Sequence, residues 1–119
     1  MYLLITFIPE DYGEQVIEAI FDAGAGKFKN YDRACFISKG IGRFRPLENS
    51  EPFLGVKGKD EFVNEIRFET IVEDIIIDKV LKAIRKTHPY EEPAIYLIKL
   101  DNKSFIIDWL IIYWMHTYL

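Results

Sequence analysis

Residues 62–86, FVNEIRFETIVEDIIIDKVLKAIRK, contain the two periodicities that decide the fold. Within residues 62–72, apolar side chains fall mostly at every second position, which predicts a half-exposed β-strand. After Asp74, which can cap a helix, apolar residues recur at three- and four-residue spacing and basic residues gather at the end. The apolar stripe consists of Ile76, Ile77, Val80, Leu81 and Ile84. The stretch therefore predicts a strand followed at once by an amphipathic helix.

A strand and a helix are also predicted at the start of the chain. Residues 2–8 are rich in β-branched and aromatic side chains and stop at Pro9, which cannot donate to a strand ladder. The apolar residues that follow have helical spacing: Tyr12, Val16, Ile17, Ile20 and Phe21. Gly24 and Gly26 predict the end of this helix, because glycine enters the left-handed conformation without a Cβ penalty.

The remaining pattern predicts two more strands and a long loop. Residues 31–38 alternate partly between apolar and polar and are predicted as the second strand. Residues 94–100 are predicted as the fourth strand, after a rigid turn between Pro89 and Pro93. Residues 39–58 carry four glycines and two prolines and are predicted as a loop. A loop of about twenty residues inside a compact domain is uncommon and usually functional.

The predicted order is strand, helix, strand, strand, helix, strand. This is an α+β arrangement, the ferredoxin-like (βαββαβ) sandwich, with a four-stranded antiparallel sheet and both helices on one face. The first, second and fourth strands are more apolar than one helix layer would cover. We therefore expect the open face of the sheet to be buried in a homo-oligomer.

A series of short motifs runs through residues 1–100 in a specific order: AGAG at 23–26, NYD at 30–32, GRFRP at 42–46, EIR at 65–67 and HPYEEP at 88–93. As a set, they resemble the PII/CutA-like insert domain of YqfO-type Nif-three-like proteins, of which this chain would be a stand-alone relative. The last motif also looks like one near the end of CutA proteins. The resemblance implies a trimer-forming PII-like fold and a regulatory or small-ligand-binding role.

Other properties of that family carry over only in part. Full-length members hold a dinuclear metal site in a core domain that these residues do not contain, so the resemblance implies at most a separate Nif-three-like core protein as a partner. Two positions depart from the family pattern. Lys29 stands where relatives commonly have a glycine before the NYD motif, and Asn49 replaces a usual glycine before Ser50.

Composition argues against several classes of function. Nineteen acidic and fifteen basic residues give a formal charge of −4, which disfavours a nucleic-acid partner. Cys35 is the only cysteine, so no internal disulfide can form, and we expect a buried, inert thiol in a cytoplasmic protein. The sequence shows neither a nucleophile beside a base nor a paired-acid spacing, so we predict no enzymatic activity and no catalytic residue.

His88, Glu91 and Glu92 are the candidate ligands of a divalent metal ion, because imidazole nitrogen and carboxylate oxygen both bind such ions. They are the basis of an alternative function, that of a CutA-like metal-binding protein in ion tolerance. In the competing interpretation, the HPYEEP motif is a structural turn or a subunit contact. Its prolines restrict the backbone, and Tyr90 can hydrogen-bond nearby groups.

Two further groups are candidate ligand or interface residues. Arg43 and Arg45 lie among the glycines of the predicted loop and can donate to a phosphate or carboxylate. Asn30, Tyr31 and Asp32 present an amide, a phenol and a carboxylate together, although such residues more often form an Asx-type turn.

Residues 101–119 form an atypical apolar extension that includes both tryptophans. Its apolar part, residues 105–119, is shorter than the roughly twenty residues that a membrane-spanning helix needs, so a membrane partner is not favoured. Three interpretations stay open: an added element that covers a neighbouring subunit's sheet, an interfacial membrane element, or a segment foreign to the ancestral gene.

Overall fold

The computed structural model describes residues 1–101 of the chain. Its elements are β1 (Tyr2–Pro9), α1 (Gly13–Asp22), β2 (Cys35–Phe44), β3 (Glu61–Val72), α2 (Ile77–Thr87) and β4 (Ile95–Lys99). One turn of 3-10 helix leads into each α-helix, at Glu10–Tyr12 and at Asp74–Ile76. The strands form one antiparallel sheet in the order β2-β3-β1-β4. The predicted ferredoxin-like fold is confirmed, and the predicted extension from residue 102 onward lies outside the described residues.

Alternation along the strands divides the sheet into two faces. On one face, Leu4 pairs with Thr70 and Ile8 pairs with Ile66, and this face lies under α1 and α2. The core on this face includes Leu4, Ile8, Val16, Ile20, Phe68, Val72, Val80 and Ile84. Burying each such side chain contributes about 1.5–3 kcal/mol. Both helices therefore cover the same face, as predicted, and the opposite face is open. Among residues 1–101, neither helix combines the length and hydropathy needed to cross a membrane.

The second strand begins and ends later than predicted. It spans Cys35–Phe44 rather than residues 31–38, so Gly40, Gly42 and Arg43 pair with β3 instead of lying in a loop. Two glycines concealed the strand, because glycine weakens a strand pattern and usually marks a turn. The loop between β2 and β3 thus covers only residues 45–60.

Asp74 does not cap α2, contrary to the prediction. The N-cap position is Ile76, and no side chain caps the helix. The Asp74 carboxylate instead contacts the N-terminal ammonium of Met1 and the ammonium of Lys99, so it ties the turn before α2 to the ends of β1 and β4. The hydrogen bond from Lys99 is the main reason that the pKa of Asp74 is lowered.

Cys35 is exposed, so the prediction of a buried thiol was wrong. Its position as the first residue of an edge strand leaves it open to solvent. Partial burial still raises the pKa of its thiol, against the opposite effect of Arg33. The thiol therefore stays protonated near neutral pH, and a protonated thiol is a poor nucleophile.

Helix α1 ends at Asp22, just before Gly24 and Gly26, and the predicted helix stop is confirmed by their φ values of +108° and +83°. The Gly26 N–H donates to the carbonyl of Ile71 at 2.8 Å, which joins the end of the helix to β3. A Cβ at Gly26 would lie 3.0 Å from the Ala34 nitrogen and 2.9 Å from a ring carbon of Phe21. Both the backbone angle and the lack of space therefore exclude a side chain at this position.

A pair of alanine substitutions separates these two effects. Gly58 has nearly the same φ, +82°, but nothing lies within 4 Å of a Cβ added there. We expect Gly58→Ala to lower the free energy of unfolding by about 1–2 kcal/mol, the cost of the left-handed conformation. Gly26→Ala should lower the free energy of unfolding by the same amount and by about 1–3 kcal/mol more, because the added methyl group overpacks the site. Urea unfolding of both variants measures the difference, and equal losses would contradict the packing argument.

Candidate functional site

The open face of the sheet carries a cleft of about 610 Å³. Its floor belongs to β1, β2 and β3, and includes Phe7, Gly40 and Glu65. One wall is the loop after β2, and the other is the segment 90–94 that leads to β4. The volume lies within the range of small-molecule sites, which are usually apolar clefts with a few convergent polar groups.

Hydrogen bonds fix the segment 88–94 to β1. His88 Nε2–H donates to the Phe7 carbonyl at 2.7 Å, and Thr6 Oγ1 donates to the Ala94 carbonyl at 2.8 Å. The other ring nitrogen of His88, Nδ1, accepts from the Tyr90 N–H at 3.1 Å. This arrangement requires a neutral imidazole with its proton on Nε2. The buried histidine therefore holds this wall of the cleft in place.

Tyr90 and Glu65 join that wall to the floor. The Tyr90 hydroxyl donates to Glu65 Oε2 at 2.8 Å, and the rings of Tyr90 and Phe44 meet edge to face with centroids 5.8 Å apart. Burial, followed by the hydrogen bond to Glu65, raises the pKa of Tyr90, so its phenol stays protonated. Gly42 makes room for this contact, because a Cβ there would lie 1.7 Å from Glu65 Oε1.

The loop after β2, which is the opposite wall, is held by contacts at two of its residues. The Glu51 N–H donates to Glu91 Oε2 at 3.0 Å, which joins the two walls across the cleft. The Phe53 ring packs edge to face on Tyr12, with centroids 5.5 Å apart, and so links the loop to the turn before α1. Contacts between several elements therefore hold both walls of the cleft in place.

The structure brings together only some of the residues predicted for a site. Tyr90, Arg43, Glu91 and Glu92 all line the cleft. His88 lies buried beneath the wall that it anchors. Arg43 lies beside the cleft in β2, but its partner in β3 is Phe62, so its side chain is on the helix-covered face, where the guanidinium pairs with Asp60 at 2.7 Å.

The remaining predicted residues lie elsewhere. Arg45 is exposed and does not line the cleft. Asn30, Tyr31 and Asp32 form an exposed turn, closed by mutual backbone hydrogen bonds between Phe28 and Tyr31 of 2.8 and 2.9 Å. Lys29 opens this turn with φ +53°, a conformation that glycine adopts more readily.

Metal ligation by His88, Glu91 and Glu92 stays a prediction. Both ring nitrogens of His88 are engaged by backbone groups, and Glu91 accepts from Glu51. Within residues 1–101, no three or more His, Cys, Asp or Glu side chains are grouped so as to hold a metal ion.

Sequence reasoning missed three residues of the cleft floor, Phe7, Glu65 and Arg67. Arg67 lies between its partners Phe7 on β1 and Ser38 on β2, so all three side chains share the open face. The available signal was the period of two along β3, which sets Glu65 and Arg67 on the face opposite Ile66 and Phe68. Without the correct span of β2, the sequence did not show which residues of that strand would lie beside them.

Solved structures with the same fold define the class of this domain. CutA from Pyrococcus horikoshii has a TM-score of 0.64 at 18% identity, over 93% of this chain and 96% of that chain. The PII-like protein CutA from Nostoc sp. PCC 7120 has a TM-score of 0.65 at 17% identity, over 92% and 90% of the two chains. At such identities the likeness concerns the fold alone, which is that of a PII/CutA-like domain.

Closer relatives belong to the Nif-three-like family. The chain is 46% identical over 104 residues to a protein of Halalkalibacterium halodurans and 43% identical over 91 residues to one of Bacillus subtilis, both named GTP cyclohydrolase 1 type 2 homolog. The alignments cover 87% and 76% of this chain, but only 28% and 24% of those proteins. The structure of a Bacillus cereus protein related to NIF3 has a TM-score of 0.73 at 40% identity, over 85% of this chain and 26% of that chain.

The resemblance to the Nif-three-like family is thereby confirmed, and the chain is a relative of one segment of these proteins. It spans about a quarter of the length of the curated relatives that it matches. No family model matches the chain.

The neutral state of His88 makes stability depend on pH. Burial lowers the pKa of His88, and this effect outweighs the opposite effects of the Phe7 carbonyl and of Glu65. The unfolded chain therefore binds a proton at pH values where the folded chain does not. The contribution of His88 to the free energy of unfolding is thus fully present above the unfolded pKa of about 6.5, and it falls as the pH drops from there toward the lower folded pKa.

We expect His88→Gln to reduce this pH dependence. A glutamine amide can still donate to the Phe7 carbonyl, but it does not titrate. Between about pH 7.5 and 5.5, the free energy of unfolding should fall less in His88→Gln than in the unsubstituted protein. Urea unfolding at a series of pH values measures both slopes, and identical slopes would show that His88 does not fold in the neutral form.

Proposed function

We propose that this chain is a cytoplasmic, non-enzymatic PII-like regulatory module that forms a homo-oligomer and binds a small ligand in the cleft. The observation that carries the proposal is that both walls of the cleft are fixed by hydrogen bonds, through His88, Thr6 and Glu91. A cleft held in this way is largely preformed, and preformed sites lose less conformational entropy on binding. A separate Nif-three-like core protein is the candidate partner in regulation.

Binding rather than catalysis suits the chemistry of the cleft. His88 is buried with both nitrogens engaged, so it has no free nitrogen for a substrate proton. The raised pKa of Tyr90 keeps its phenol protonated and weakly nucleophilic. The relatives named GTP cyclohydrolase 1 type 2 homolog are about four times longer than the matched segment, so the proposal includes no cyclohydrolase activity.

The part of the open face beside the cleft supports the oligomer. Ile5 has Tyr96 as its partner on β4, and Leu3 has Ile98. Phe36, Tyr96 and Ile98 expose 63%, 55% and 49% of their surface. Burying apolar surface yields about 25 cal/mol per Å², so a contact between copies of the chain on this side of the sheet is favourable. A closed trimer, as the PII-like resemblance implies, is the assembly that we favour.

A charge placed on this surface should dissociate the oligomer. We expect the full chain to have a mass near three times 14.0 kDa by light scattering, and Tyr96→Asp to reduce the mass toward that of one chain. The matched control is Ile75→Asp, because Ile75 is 92% exposed but lies in the turn before α2. A monomeric parent protein, or an unchanged mass for Tyr96→Asp, would contradict the proposed assembly.

Ligand binding can be tested by filling the cleft. Gly40 has an ordinary extended backbone, and nothing lies within 4 Å of a Cβ added there, so Gly40→Leu places a side chain in the cleft without strain. We expect organic acids, amines or neutral heterocycles from a mixed set to shift the Gly40 and Gly42 amide resonances of the isotope-labelled chain. Binding should disappear in Gly40→Leu, followed through the remaining resonances of the cleft.

The control for that test is Ile37→Leu, which lies on the same strand but on the helix-covered face, paired with Phe68. The Ile37→Leu variant should bind the same compounds as the parent protein. If no compound in the set binds, or if Gly40→Leu binds equally well, the cleft is not a ligand site.

The alternative proposal is CutA-like divalent-metal binding by His88, Glu91 and Glu92. It is supported by the position of both glutamates in the cleft lining, and opposed by the two hydrogen bonds of the His88 ring. Metal analysis of the same purified samples distinguishes the two proposals. Stoichiometric metal that is lost in His88→Ala, with the fold intact, would support the alternative.

A further inference from the structure

The charged groups that line the cleft are not balanced within it. Of the three basic residues along it, only Arg67 has its side chain on the open face, and it pairs with Glu69 at 3.5 Å. The side chains of Lys39 and Arg43 lie on the helix-covered face, as that of Ile37 does. The cleft therefore holds one cationic side chain, Arg67, and that side chain already has an acidic partner.

The three carboxylates of the lining have no such compensation. Glu65, Glu91 and Glu92 line the cleft, and within residues 1–101 none of them lies within 4.0 Å of a basic nitrogen. Glu65 is only partly exposed, and it accepts one hydrogen bond, from Tyr90. Because a carboxylate offers about four acceptor positions, Glu65 can accept further hydrogen bonds from a ligand.

Aromatic rings also line the cleft. Phe7, Phe44, Phe53 and Tyr90 all contribute to the lining. The face of an aromatic ring carries partial negative charge and attracts cations. The Phe7 ring already contacts a cation in this way, since the Arg67 guanidinium lies 5.9 Å from the ring centroid.

The floor at Gly40 leaves space for the body of a ligand. Gly40 pairs with Glu65 on the open face, and the space where its Cβ would lie is empty to 4 Å. Glu65 is held beside this space by the Tyr90 hydroxyl and by the absence of a side chain at Gly42. An apolar group above Gly40 would thus lie next to a fixed carboxylate.

We infer that the cleft binds a small organic ammonium ion, an amine whose apolar or aromatic body lies over Gly40 while its charged nitrogen binds the Glu65 carboxylate. The inference rests on the proposed ligand-binding function and adds the chemical class of the ligand. An aliphatic amine is protonated at neutral pH, so it supplies a positive charge opposite Glu65 and further hydrogen-bond donors to its carboxylate. An anionic ligand would instead meet three carboxylates whose charge is not compensated.

Three probes with one body and different head groups test the inference. They are 2-phenylethylamine, 2-phenylethanol and 3-phenylpropionate, which are cationic, neutral and anionic at neutral pH. Each is titrated into the isotope-labelled full chain, and the Gly40 and Gly42 amide resonances report binding. We expect the amine to bind at least about tenfold more tightly than the alcohol, because it forms a charge-assisted hydrogen bond where the alcohol forms a neutral one. The acid should bind most weakly.

Two variants identify the group that binds the amine. Glu65→Gln keeps an acceptor for the Tyr90 hydroxyl but removes the charge. It should lower the affinity for the amine about tenfold and leave the affinity for the alcohol unchanged. Glu48→Gln removes the same charge from the neighbouring loop, at a residue outside the lining, and should change neither affinity.

The outcomes separate this inference from the function on which it rests. If the acid or the alcohol binds as tightly as the amine, or if Glu65→Gln does not weaken the amine, the assignment of an ammonium ligand is wrong. In that case the cleft is still a ligand site, provided that the bound probe is lost in Gly40→Leu. If the three probes and the mixed set all fail to bind, both the ligand class and the proposed function are wrong.

Discussion

The antiparallel pairing of β1 with β3 is the constraint on which the rest of this structure depends. Because successive side chains of a strand point to opposite faces, this pairing sets Leu4, Ile8 and Phe68 under the helices and sets Phe7 and Glu65 on the open face. A shift by one residue would exchange the two sets, exposing the core and burying the charges. The stability of the core and the position of the cleft therefore have the same origin.

The strands alone do not form the cleft on the open face. Hydrogen bonds that hold the segment 88–94 against the sheet form one of its walls. The imidazole of His88 joins the Phe7 carbonyl to the Tyr90 N–H, and Tyr90 then reaches Glu65 on the floor. One buried side chain thus connects the central strand, the wall and the candidate binding carboxylate. Partly buried hydrogen bonds of this kind depend on one another, because an unpaired buried donor or acceptor is costly. This dependence accounts for a rigid wall in a segment without regular secondary structure.

Most of the fold could be predicted from local pattern. The strand and helix at residues 62–86 have clear periods of two and 3.6, and Gly24 and Gly26 mark a turn that only positive φ values allow. The span of β2 could not be predicted, because Gly40 and Gly42 look like loop residues until Glu65 is known to lie beside them. Asp74 had the spacing of a cap, but the ammonium groups of Met1 and Lys99 compete for its carboxylate.

The sequence by itself determined the element order, the ferredoxin-like topology, the family resemblance and several residues that line the cleft, because these depend on neighbours along the chain or on ordered motifs. Tertiary structure alone decided that Phe7, Gly40, Glu65 and Tyr90 surround one cleft, since they come from four separate segments. It also decided that His88 anchors a wall and that the side chains of Lys39 and Arg43 lie on the face opposite the cleft. These properties depend on distances between segments far apart in the chain, and such distances exist only once the strands have paired.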